Sequence, residues 1–112
     1  MDLLDDLQNL VSQLDASVKS LRRTNEARAQ TEMDYKILLR EEALKCRDSG
    51  MAVGMIDKTV YGIPSVALAR FKRDIADGNY EANKEAINVY KLRIRLLENQ
   101  INREYGMEGK QL

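Results

Sequence analysis

Apolar residues recur through the first part of the chain at alternating spacings of three and four: Leu4, Leu7, Val11, Leu14, Val18 and Leu21. That period belongs to an amphipathic helix with a coiled-coil seam. The same count continues through Asn25, Arg28, Glu32, Tyr35, Leu39 and Glu42, so the register outlasts its apolar part and enters a polar middle. A second long pattern runs from Ser65 to about Tyr105. In it Ile87, Tyr90, Ile94, Leu97 and Ile101 form one stripe, and Leu68, Phe71, Ile75, Gly78, Ala82, Val89 and Leu96 form another. A helix with two apolar stripes needs two neighbours to cover them.

Local signals place the ends of these elements. Asp2 is a capping residue, and Asp5 and Asp6 add negative charge where the helix dipole favours it. No proline or glycine follows until Gly50; Lys45 and Arg47 then suit a last turn, and Asp48-Ser49-Gly50 reads as the stop. The spacing therefore predicts a helix over 1–49, on the order of 70 Å long. Glycines 50, 54 and 62 and the single proline break the pattern over 50–64, where Val53 to Val60 still supply two helical turns with Val53, Ile56 and Val60 on one side. Pro64 fits the first position of a last helix, over 65–106, leaving 107–112 as a tail. Asp77-Gly78-Asn79 reads as a turn or as part of a small-residue row with Ala82 and Ala86 that permits close backbone approach; the preserved stripe favours an unbroken helix. The expectation is one all-α domain, a coiled-coil hairpin of two long antiparallel helices joined by a short helical tip. Leu3, Leu10 and the spare stripe of Val89, Leu92 and Leu96 are left over, which points to dimerisation into an elongated helical bundle.

Composition narrows the chemistry. Charged residues make up 32% of the 112 residues and aromatics 5%, which suits long surface-rich helices. Lysine plus arginine equals aspartate plus glutamate, 18 each, so no global field draws the chain to nucleic acid or anionic lipid. Cys46 stands alone, the N-terminus has no basic region, and no apolar run approaches a membrane span; neither signal peptide nor membrane helix is expected, and the cytoplasm is the expected compartment. There is no histidine, so no catalytic, cofactor or metal residue is assigned. Asp74, Asp77, Glu81 and Glu85 share a helix face, but the Glu-x-x-His pairs of helical di-metal sites are missing, and a solvated acidic face is the expectation.

The polar middle is the less ordinary feature. Val11 and Val18 alternate with leucines and Asn25 takes the next such position, as in parallel zippers; the same stripe also serves for packing within the chain. Asn25, Arg28 and Glu32 make three polar layers in succession: either they are solvated, or Arg28 and Glu32 pair at i,i+4, or together with Tyr35 they meet a partner. The stretch from Glu42 to Arg70, with its Ser-Gly-Met, a short helix around Ile56, Gly-Ile and a helix from Ser65, resembles the helix-turn-helix of resolvases and small regulators. That resemblance implies phosphate contacts by Arg70, Lys72 and Arg73. The chain differs from it in the extra Tyr61, in Pro64, and in an apolar Val66-Ala67-Leu68-Ala69 run where bases would be read.

The stretches Tyr35-Lys-Ile-Leu-Leu-Arg-Glu-Glu-Ala-Leu-Lys45, Ala86-Ile-Asn-Val89 and Asn99-Gln-Ile-Asn-Arg-Glu-Tyr105 resemble small helical proteins encoded by phages and prophages of Gram-positive bacteria. The resemblance implies an accessory protein working among replication, recombination or host-countering functions. The expected function is a non-enzymatic homo-oligomer that occupies a host or phage protein. Alternatives are a small DNA-binding protein and a nucleotide-messenger binder using Arg28, Lys36 or Arg40.

Overall fold

The computed structural model describes the backbone of residues 2–111 and the side chains of residues 2–106. Its elements begin and end where capping chemistry dictates. Helix α1 spans Leu3–Asp48, and the Leu4 N–H donates to the Asp2 carboxylate at 3.0 Å. At its other end Gly50 takes a φ of 87°, the one positive φ among the described residues. This lets the Met51 N–H reach the Cys46 carbonyl at 3.1 Å and the Gly50 N–H reach Arg47 at 3.0 Å, closing a Schellman motif. Helix α2 spans Val53–Val60, and α3 spans Pro64–Gln111 with proline at its first position. The backbone stays helical through 107–111, where a tail is expected from the sequence; no proline interrupts it, and isolated glycines cost a helix only about 1 kcal/mol each. Residue 112 lies outside the described residues.

The chain is all-α, two long antiparallel helices joined by a short helical connector. Packing divides it into two compact units, Arg23–Tyr80 and Met1–Arg22 with Glu81–Leu112. In the unit Arg23–Tyr80, Arg28 meets Tyr80 and Tyr35 meets Arg73, which fixes the opposed chain directions. Its core is Tyr35, Ile56, Val60, Val66 and Ala76, with Val66 fully buried. Ile56 and Val60 turn inward as the spacing predicts. Val53 does not: it is 81% exposed, because the first residue of α2 lies a turn away from where Ile56 and Val60 enter the core.

In the second unit Ile87 is buried, and Leu7, Leu14, Leu21, Tyr90, Ile94, Leu97 and Ile101 are half-buried. The Asn83 side-chain N–H donates to the Ser17 carbonyl at 2.8 Å, tying the helices together across the seam. Counting heptads away from that bond sets Leu10 opposite Tyr90 and Leu3 opposite Leu97, all four half-buried. The inner row of α1 is thus Leu3, Leu10, Ser17 beside Leu7, Leu14, Leu21. Leu4, Val11 and Val18, expected in the seam, each keep about half their surface in solvent. The row next to them is as apolar at Leu3 and Leu10, and the polar bond at Ser17 decides which row turns in. Helix α3 runs unbroken through Gly78. A Cβ there would meet nothing within 4 Å, so Gly78 itself makes no close approach within the chain.

Candidate interaction site

The polar residues singled out by the register converge in the unit Arg23–Tyr80. Two layers, seven residues apart on each helix, stack a guanidinium on a phenol ring. In one, Arg28 of α1 lies 4.4 Å from the ring centroid of Tyr80 of α3. In the other the roles exchange, and Arg73 of α3 lies 4.5 Å from the ring of Tyr35 of α1. Tyr35 is only 6% exposed, so its ring face is largely desolvated where the cation meets it, and the attraction is correspondingly stronger than at a surface.

Hydrogen bonds and ion pairs hold the two guanidiniums differently. Arg73 donates from Nη2 to Asp74 at 2.9 Å and from Nε to the same oxygen at 3.1 Å, while Glu32 lies 3.7 Å from Nε. The hydrogen bond to Asp74 raises the Arg73 pKa above its already high value; partial desolvation opposes this, and the charges of Asp74, Glu32 and Tyr35 add to it. The cation is permanent at any pH the fold survives. Arg28 donates from Nη2 to the Asn25 side-chain Oδ1 at 2.9 Å, but its Nε is buried without an acceptor. The i,i+4 pair of Arg28 with Glu32 does not form: Glu32 turns to Lys36 at 3.3 Å and to Arg73 across the helix pair. Asn25 is exposed, so it is not a buried register layer.

Two grooves flank this polar centre. The first, about 540 Å³, includes Met33 and Ile37 and carries Arg28, Lys36, Glu32 and Asp77. Two acids offset two bases, Lys36 is held by Glu32, and Arg40 does not line it, an unfavourable setting for a nucleotide phosphate. The second, about 550 Å³, has Ala27, Phe71, Ile75 and Ala76 as its apolar lining, and its charged residues, Arg23 and Lys72, are both basic. Of the three residues expected at phosphate, Lys72 is exposed, whereas Arg70 and Arg73 are half-buried and Arg73 is committed to carboxylates.

Sequence reasoning found Arg28, Glu32, Tyr35 and Arg73 but missed Tyr80 and Asn83. Tyr80 had a signal: it stands seven residues from Arg73, as Tyr35 does from Arg28. Among the described residues no three His, Cys, Asp or Glu side chains converge as a metal site, and Cys46 is a half-buried free thiol. No helix among them is long and apolar enough to cross a membrane. Comparison with protein families, with characterised proteins and with solved structures finds no match for this chain.

Proposed function

We propose that the protein is a non-enzymatic, self-assembling helical binding module of the phage accessory kind, acting in the host cytoplasm by occupying a host or phage protein. One observation carries the reading: six apolar side chains are buried, while fifteen large ones are exposed among the described residues. Single exposed apolar residues are ordinary. Here they fall in rows at helical spacing, Leu4, Val11 and Val18 on α1 and Leu68, Phe71 and Ile75 on α3, and such rows are surfaces that another helix covers. The Arg–Tyr layers pair the two helices with each other within the chain, so they hold the helices in register and leave the apolar rows to do the binding.

A DNA-binding role is the weaker alternative. Its phosphate contacts would fall to Lys72 and Arg70 once Arg73 is engaged, and the fully buried Val66 and exposed Leu68 offer no base-reading donors. Light scattering at tens of micromolar is expected to give a species heavier than 12.8 kDa. A 12.8 kDa species would remove the self-assembling reading. DNA binding that weakens steeply between about 50 and 200 mM salt would favour the alternative.

A further inference from the structure

We propose that the stripe Arg23, Ala27, Gln30, Asp34, Ile37 and Glu41 of α1 packs antiparallel against the same stripe of a second copy of this chain. The inference rests on the self-assembling reading above and names the surface that meets and its alignment. The six residues recur at alternating spacings of four and three, so they share one face of the helix, and all six are exposed. Across the grooves of the same unit stand Leu68, Phe71 and Ile75 of α3, each with more than half of its surface in solvent.

The stripe is complementary to itself when reversed. Turned end for end about the level of residue 32, it sets Arg23 against the partner's Glu41, Ala27 against the partner's Ile37, and Gln30 against the partner's Asp34. Cation meets carboxylate, small side chain meets large, amide meets carboxylate, and a two-fold axis makes each pair twice. No ion pair among the described residues engages Arg23 or Glu41. They lie on the order of 27 Å apart along α1, so a single chain cannot join them. Gln30 donates to Asp34 at 2.8 Å within the chain, which leaves the amide a second N–H and the carboxylate further lone pairs for the partner.

Charge selects both the occupant and its direction. Lys72 lines the groove with Asp34 and is in no ion pair, so Arg23 and Lys72 balance Asp34 and Glu41 on this face. A nucleic acid would meet the two acids as well as the two bases, whereas a copy of the face answers each with its opposite. A parallel alignment would stack Arg23 on Arg23 and Glu41 on Glu41, and like charges in contact are disfavoured.

The test uses the full-length chain, with assembly followed by light scattering and helicity by circular dichroism. Arg23→Glu and Glu41→Arg, each at an exposed position, are expected to keep their helicity and to raise the dissociation constant of the assembly by roughly tenfold or more at low salt. The double variant Arg23→Glu/Glu41→Arg is expected to return to the parent's affinity, and the two single variants to associate with each other when mixed. Ala27→Leu is expected to weaken the assembly at any salt by crowding the partner's Ile37, and Ala27→Leu/Ile37→Ala to recover it. An assembly indifferent to Arg23→Glu or to Ala27→Leu, or a double charge variant as weak as the single ones, overturns the proposal and leaves self-assembly standing. A parent protein that scatters as a 12.8 kDa species overturns both.

Discussion

The Nε of Arg28 is a buried donor with nothing to accept from it, in a side chain whose charge is otherwise held by Asn25 and the Tyr80 ring. Leaving such a donor unsatisfied costs about 1–3 kcal/mol, which offsets most of what a cation–ring contact contributes. Arg28→Met keeps the packing stem and removes the donor, so urea melts should show it unchanged or more stable by about 1 kcal/mol. Arg28→Ala strips the stem as well and should cost about 1 kcal/mol. Asn25 behaves otherwise. It is exposed, and Asn25→Val should move the melting free energy by less than about 0.5 kcal/mol. A larger gain, accompanied by a change in assembly size, would mean that the row of Leu4, Val11 and Val18 is covered as far as residue 25.

At the scale of the elements, two glycines have opposite consequences. Gly50 holds a left-handed conformation that terminates α1, and Gly50→Ala should lower stability by about 1 kcal/mol or more. Gly78 lies mid-helix with open space where a Cβ would go, so Gly78→Ala should raise stability by about 0.5–1 kcal/mol in thermal melts. Three element ends were legible in the sequence because their causes are local, a carboxylate at Asp2, a glycine at 50 and a proline at 64, whereas the end of α3, with no such signal, was placed five residues early. The inward face of α1 was not legible. Ser17 and Thr24 lie in or beside the inner row while Leu4, Val11 and Val18 face solvent, so apolar spacing alone pointed one row away from the true seam. The candidate site was legible on α1, where Arg28, Glu32 and Tyr35 broke an apolar count. On α3 Arg73 was singled out only as a phosphate contact, and Tyr80, whose one signal is its seven-residue spacing from Arg73, breaks no apolar count.

For the whole molecule, stability and association are one equilibrium if the exposed rows are covered only in the assembly. Anything that binds the folded chain and not the unfolded one raises its stability by mass action. The melting temperature should therefore climb with protein concentration. It should fall as salt is raised from about 50 to 500 mM, because exposed charge pairs are screened over roughly a Debye length. A melting temperature indifferent to both, measured over a hundredfold range of concentration, would mean that a single chain accounts for all the stability there is.

The crossed arrangement of the two Arg–Tyr layers also determines which mispairings are forbidden. Slide α3 by one heptad in one direction and Arg28 comes to face Arg73; slide it the other way and Tyr35 faces Tyr80, with both guanidiniums robbed of their rings. Had both arginines stood on one helix and both tyrosines on the other, a slipped pair would still have found one matched layer. Exchanging Arg28 and Tyr80 builds that uncrossed version: Arg28→Tyr/Tyr80→Arg preserves every native cation–ring pairing by type. It is expected to melt near the parent, yet to show doubled amide resonances from two coexisting alignments, because alternation, more than attraction, makes a repetitive helix pair choose a single frame.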